Sequence, residues 1–171
     1  MGILDTMIMI LPTKEECLRI LKESNVPDNI IAHCKAVGDF AMTVADKLES
    51  RGINVNRDLI LAAALLHDIK KLSLNDHVIE GSEYIISLGF AEVANIIKKH
   101  GLAHLDNDDF KPKSWEEKAV FYADKRVKND RVVSVEERFS YIRQRYKGAE
   151  IEREYRFTKD IENEILQEKN L

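Results

Sequence analysis

Residues 57–71 read RDLILAAALLHDIKK. From Leu59 to Leu66 every side chain is apolar, and the run then meets His67 and Asp68 without a break. Asn56 or Asp58 can cap a helix that starts here. The spacing predicts the most apolar helix of the chain, closing on an imidazole and a carboxylate. A buried carboxylate is costly unless it is paired or holds a metal, so the end of this helix is where chemistry is expected.

Helical signals continue on both sides. Upstream, Thr13-Lys14-Glu15-Glu16 has the form of a capping box, predicting a helix to about Ser24. Pro27 suits the start of a second helix, with an apolar stripe at Ile30, Val37, Ala41, Val44 and Leu48 and an end at Gly52. Downstream, short helices are predicted from Gly81 to Leu88 and from Phe90 to His100, closed by Gly89 and Gly101. The polar stretch from Gly101 to Lys113 reads as a loop. Ser114-Trp115-Glu116-Glu117 and Ser134-Val135-Glu136-Glu137 repeat the capping pattern and open helices to about Val127 and Tyr146. From Ala149 the chain is charged, with Ile151, Tyr155, Ile161 and Ile165 as apolar points, and a loosely packed helix is expected. Trp115, Phe121 and Tyr122 are expected to pack on the core rather than stack on a base.

The bulk numbers fit one all-α domain. The chain has 171 residues, 44% hydrophobic and 33% charged, with a net charge of −4. That is enough chain for a sizeable core. An acidic balance argues against a nucleic-acid polymer as partner, and leaves room for a local basic cluster around a small anion. Cys17 and Cys34 suggest no disulfide framework, so a reducing, cytoplasmic setting is expected. Ile3 to Leu11 is apolar but carries Asp5 and Thr6. It is too short to span a bilayer and lacks the basic start of a signal peptide, so it reads as a core segment or, second, a mobile start. The expected layout is an N-terminal helical segment at 1–26, a central body at 27–146 and a charged C-terminal helix at 147–171, together one compact domain. That last helix could dock on a second copy of the chain.

Several polar residues stand where helical periodicity expects apolar ones. His33 lies on the stripe of Ile30, Val37 and Ala41. His100 continues Val93, Ile96 and Ile97. Asp124 sits among Val120, Ala123 and Val127. One inward histidine is ordinarily a hydrogen-bonded core residue. Inward imidazoles and carboxylates on several helices are accounted for together by one metal site inside a bundle.

With those residues in place, the chain resembles the HD-domain superfamily of metal-dependent phosphohydrolases, closest to its small HDIG group. The resemblance rests on His33 in AHCKAVGDFA, His67-Asp68 in LLHDIKK and Asp124 in FYADKRV, and covers about residues 28 to 145. Lys70 stands where the group has glycine, and Lys71 keeps the lysine that follows. The resemblance implies a helical bundle with a metal held by His33, His67, Asp68 and Asp124. A second ion, bridged by Asp68 and held by His77 and His100, is the two-metal version; one ion is the simpler. His104 reads as a surface residue. The donors suit Mn, Fe, Co, Ni or Zn, with Mg less favoured. The implied reaction is hydrolysis of a phosphate ester or anhydride of a nucleotide or other small phosphorylated metabolite by metal-activated water. Asp68 and Lys71 are the catalytic candidates. Lys71, Lys125 and Arg126 are the substrate-binding candidates, with Lys70, Lys98 and Lys99 as a positive rim. Asp76 and Glu80 could orient a histidine or a water. A diiron oxygenase on the same ligands, or a metal-binding module without turnover, are the alternatives.

Overall fold

Capping side chains determine where most helices begin. The structure is a computed structural model that describes residues 9–146 and 151–167. Thr13 and Glu16 cap each other's backbone amides at the start of α1 (Lys14–Glu23), and Ser114 and Glu117 do the same for α6 (Trp115–Lys125). The Asn56 side chain accepts from Leu59 N at 3.0 Å and opens α3 (Arg57–Leu66). Ser134 accepts from Glu137 N and opens α7 (Val135–Arg145). Between these lie α2 (Asp28–Ser50), α4 (His77–Ser87) and α5 (Ala91–Lys98), and α8 (Glu152–Leu166) closes the order. Gly52 and Gly89 take φ of 78° and 92°, the left-handed geometry that ends α2 and separates α4 from α5.

Two elements differ from the expectation. α4 begins four residues before Gly81, because Asp76 Oδ1 accepts from Val78 N at 2.9 Å and Ile79 N at 3.2 Å. Gly81 reads as a boundary by propensity, yet it lies buried inside the helix, packed toward Ile69 and Ile97. Second, α6 stops at Lys125, and the chain makes a small antiparallel hairpin of β1 (Val127–Lys128) and β2 (Arg131–Val132). Asn129 at φ 56° starts its turn, a conformation asparagine tolerates. Strands of two residues leave no periodicity to read.

The core is built around α3. Leu59, Ile60 and Ala62 to Leu66 are all buried, and α1, α2, α5 and α6 pack around them. α2 crosses α3 closely at Gly38, where an added Cβ would lie 3.3 Å from Leu65 Cδ2. The buried stripe of α2 runs Ile31, Cys34, Val37, Ala41, Val44 and Leu48, with Ile30 only half-buried at its edge. His33 shares that edge and keeps some exposure, with its ring facing Asp124 of α6. α4 and α5 pack as a pair, and α5 sits against α3. The C-terminal helix is packed more tightly than expected: Thr158, Ile161 and Ile165 of α8 are buried against α6 and α2. Trp115, Phe121 and Tyr122 pack in or on the core, as expected. At the other end Leu11 packs on the core while Ile10 is exposed, and the rest of the apolar start, Ile3 to Ile8, lies outside the described residues. No helix among the described residues is long and apolar enough to cross a membrane.

Candidate metal centre

His67 is the residue on which the centre turns. It follows the last residue of α3 and is completely buried. Its Nδ1 lies 2.7 Å from the Ala64 carbonyl, which can only accept, so Nδ1 carries the proton. In the neutral ring Nε2 then carries the lone pair, buried and without a hydrogen-bond partner, where a cation can take the place of a second proton. His100, after α5, is fixed the same way by the Ile97 carbonyl at 2.6 Å, and His33 of α2 by the Asn129 carbonyl at 2.6 Å. Three imidazoles thus present Nε2 inward, each oriented by a backbone oxygen, the arrangement typical of metal-binding histidines.

The carboxylates meet those nitrogens at ligand spacing or a few tenths of an ångström beyond it. Two atoms bound to one ion at about 2.1 Å, with angles near a right angle or a tetrahedral one, lie about 3.0–3.4 Å apart. His33 Nε2 is 3.2 Å and His67 Nε2 3.4 Å from Asp124 Oδ1. His67 Nε2 is 3.5 Å and His33 Nε2 3.8 Å from Asp68 Oδ2. The other oxygen of Asp68 faces the opposite way: Oδ1 is 3.5 Å from both His77 Nε2 and His100 Nε2. Two donor groups, His33–His67–Asp124 and His67–Asp68–His100, are each tight enough to hold an ion. The orphaned Nε2 of His67 and the spacing around it fit a divalent metal, and Asp68 lies between the two sets. His77 comes to this position because Asp76 starts α4 one residue earlier.

Charges are arranged to match. Burial works against ionised Asp68 and Asp124, yet His67 and the imidazole hydrogen bonds, with Lys71 at Asp68 and Lys125 at Asp124, hold both well below the usual carboxylate range. Burial also disfavours a charged His67, but Asp68, Cys34 and Asp124 together outweigh it and raise that pKa. Positive charge is therefore favoured between the two aspartates. Burial, reinforced by His100 and Lys71, lowers the His77 pKa to about 4, and burial lowers that of His100. Both are neutral donors near neutral pH.

The expected residues separate into those the fold brings together and those it does not. His33, His67, Asp68, His77, His100 and Asp124 converge, with Lys71 Nζ 3.2 Å from Asp68 Oδ2. Lys125 is buried, its ammonium on Asp124 Oδ2 at 2.5 Å and the His100 carbonyl at 2.9 Å. It braces two donors from behind and does not reach a solvent-facing rim. Arg126 turns away: its Nε donates to the Val133 carbonyl at 2.6 Å, and its guanidinium lies over Phe40 and against Glu162. Two residues beyond Asp124 on a helix, it points about 200° around the axis from the centre. Lys70 sits over the Tyr84 ring, Lys98 over Phe110, and Lys99 pairs with Glu117. His104 pairs with Asp76, while Glu80 takes Ser73 and Asn75, so Asp76 and Glu80 serve α4 and its approach. The Asn129 carbonyl that orients His33 escaped sequence reading altogether, since a backbone oxygen has no residue signature.

A cleft of about 180 Å³ opens beside the centre. Asp68 and Lys71 line one side, and Ser24, Asn25 and Pro27 from the α1–α2 turn, with Ile30 of α2, line the other.

Fold and site together define a helical protein with an internal imidazole–carboxylate centre. Comparison with known proteins gives that class its family: a model of the HD domain matches residues 30–161, and the chain belongs to the HD-domain family. Among its relatives is a tRNA (cytidine(56)-2'-O)-methyltransferase of Picrophilus torridus, 32% identical over 77% of this chain but only 41% of that protein. The chain thus spans less than half of that relative's length. A dihydroneopterin 2',3'-cyclic phosphate phosphodiesterase of Methanocaldococcus jannaschii is 32% identical over 72% of this chain and 54% of that protein. A crystal structure described as a predicted HD superfamily hydrolase, from an uncultured Thermotogales bacterium, shares the fold. Its TM-score is 0.52 at 22% identity, covering 96% of this chain and 94% of that one.

Proposed function

We propose that the chain is a metal-dependent phosphohydrolase acting on a phosphate ester or anhydride of a nucleotide or another small phosphorylated metabolite. One observation carries the reading: the two oxygens of Asp68 face two separate sets of inward Nε2 atoms, with Lys71 and an open cleft at the same carboxylate. His33, His67, Asp68 and Asp124 would hold one ion. Asp68, His77 and His100 would hold a second. With several imidazoles in the set, Mn, Fe, Co, Ni or Zn suits it better than Mg. A bound divalent ion would supply a polarised phosphoryl oxygen and a water of lowered pKa. A relative named as a cyclic phosphate phosphodiesterase supports the same bond type.

The residues of the chain do the rest. Asp68 and Asp124 are balanced by Lys71 and Lys125, so a divalent ion leaves the centre with excess positive charge that attracts a dianionic phosphoryl group. Lys71, partly exposed beside Asp68, is placed to neutralise a phosphoryl oxygen as charge develops on it. The cleft offers Ser24 and Asn25 for polar contact, and Pro27 and Ile30 for an apolar one, to whatever the phosphate is attached to.

The test is a screen of p-nitrophenyl phosphate, bis-p-nitrophenyl phosphate and a nucleotide panel that includes 2',3'-cyclic phosphates, with each metal in turn. Release of phosphate or p-nitrophenol by the wild type, abolished in His67→Ala and Asp68→Ala, is the expected result. Turnover that survives both substitutions places the activity elsewhere and overturns the assignment.

A further inference from the structure

Each aspartate of the centre is paired with a lysine, but the two pairings differ in geometry. Lys71 Nζ sits astride Asp68, 3.3 Å from Oδ1 and 3.2 Å from Oδ2, and its side chain is partly exposed. Both Asp68 oxygens stay open to the imidazole nitrogens on either side. Lys125 Nζ instead lies on one oxygen of Asp124, Oδ2, at 2.5 Å. Oδ1 of Asp124 is the oxygen that meets the His33 and His67 nitrogens. The Lys125 ammonium is held in its seat by two further partners. It donates to the His100 carbonyl at 2.9 Å and lies 4.9 Å from the centre of the Phe121 ring. The residue is buried, so giving up the Asp124 contact would strand a charge away from water.

We propose that Lys125 is a positioning residue that confines Asp124 to one-oxygen ligation of the ion and so keeps a position on that ion open for water or substrate. A carboxylate without such a contact can close on an ion with both oxygens. The close contact at Oδ2 removes that option from Asp124. Asp68, straddled more loosely, keeps both oxygens for its place between the two donor sets. His33, His67, Asp68 Oδ2 and Asp124 Oδ1 then supply the protein donors of one ion. An octahedral ion keeps two positions open under this arrangement, where a two-oxygen Asp124 would leave one. Two open positions accommodate a water and a phosphoryl oxygen together. The same ammonium ties the His100 backbone to Asp124, so the two donor sets share one support. The inference rests on the phosphohydrolase reading for the presence of the ion, and not for the bond that is cleaved.

The test compares crystal structures of the manganese-loaded full chain as wild type and as Lys125→Met, with manganese content measured for both in solution. In the wild type, Asp124 Oδ1 should lie about 2.0–2.3 Å from the ion, with Oδ2 beyond about 2.8 Å and still on Lys125. In Lys125→Met, Oδ2 should close to within about 2.5 Å, and the positions on the ion not filled by protein atoms should fall from about two to about one. Manganese stoichiometry should stay at the wild-type value, and with a working ester substrate kcat should fall at least tenfold. A loss of packing alone would lower the manganese content and leave Asp124 on one oxygen. An Asp124 that binds manganese through both oxygens in the wild type overturns the inference and leaves the metal centre standing. An Asp124 still on one oxygen in a folded, loaded Lys125→Met protein does the same. If Lys125→Met does not fold, the wild-type distances decide alone, one oxygen supporting the inference and two overturning it. A wild type that takes up no manganese at these residues overturns the metal-centre reading itself, and the inference with it.

Discussion

Three of the four histidines of the centre are each set by one backbone oxygen. His67 uses Ala64, His100 uses Ile97, and His33 uses Asn129. His104 has no such geometry, since its Nε2 is taken by Asp76. A discriminating pair of variants follows. His67→Ala should lose the bound metal and at least about 100-fold in turnover, because metal activation is worth several kcal/mol. His104→Ala should keep both and lose about 1 kcal/mol of stability or less, the size of a partly exposed ion pair. Metal content by mass spectrometry and chemical denaturation check the two. His77→Ala and His100→Ala should each lower the stoichiometry from about two ions to about one if Asp68 bridges two sites; an unchanged value leaves a single ion. The residues that converge here were legible in the sequence because His33, His100 and Asp124 interrupt apolar patterns. Their supports were not. Lys125 looks like a rim lysine from its place beside Asp124, and only the folded chain shows its ammonium turned back onto that carboxylate.

The junctions between elements carry much of the site. Glu117 caps α6 and also binds Lys99 at 2.6 Å and Asn95 at 2.9 Å, tying α5 to α6 on either side of His100 and Asp124. Burial raises its pKa, but Lys99 and the amides of Lys113 and Ser114 outweigh that and lower it below the usual glutamate value of 4.5. A depressed folded pKa gives stability that is fully present above the unfolded value and is lost as pH falls through the folded one. Glu117→Gln should therefore cost about 2–4 kcal/mol at neutral pH, and the gap to wild type should close as the pH is taken well below 4.5, read by denaturation at a series of pH values. Gly101 tests the other junction. A Cβ there would lie 2.9 Å from Val78 Cγ2. Gly101→Ala should cost about 1–3 kcal/mol by overpacking, and less in a Val78→Ala background. Helix starts at Thr13, Asn56, Ser114 and Ser134 were readable because caps are local chemistry. The true start of α4 was not, since Gly81 looked like a boundary and Asp76 did not look like a cap. The hairpin after α6 was too short to show.

Across the whole molecule, the centre draws donors from α2, the end of α3, α4, the turn after α5, and α6. An ion there links segments that the unfolded chain cannot hold together. Manganese at 100 times its dissociation constant should add about 2.7 kcal/mol, a rise of about 5–10 °C in Tm for a chain of this size. The rise should vanish in Asp68→Ala. The fold class was legible from capping boxes and from the apolar run before His67. Which faces meet was not, because periodicity gives each helix a side but no partner, and the convergence of His33 with Asp124 came from family resemblance. The tight seat of α8 was also hidden: Ile161 and Ile165 stood out as apolar points, but the charges around them suggested loose packing and Thr158 gave no sign of burial.

The most direct measurement is anomalous diffraction from crystals of the manganese-loaded protein. A peak within about 2.0–2.3 Å of His67 Nε2 and Asp68 Oδ2, with His33 and Asp124 completing the shell, is the predicted result. A manganese-bound crystal whose peaks all lie elsewhere, with His67 Nε2 left without a ligand, would contradict it.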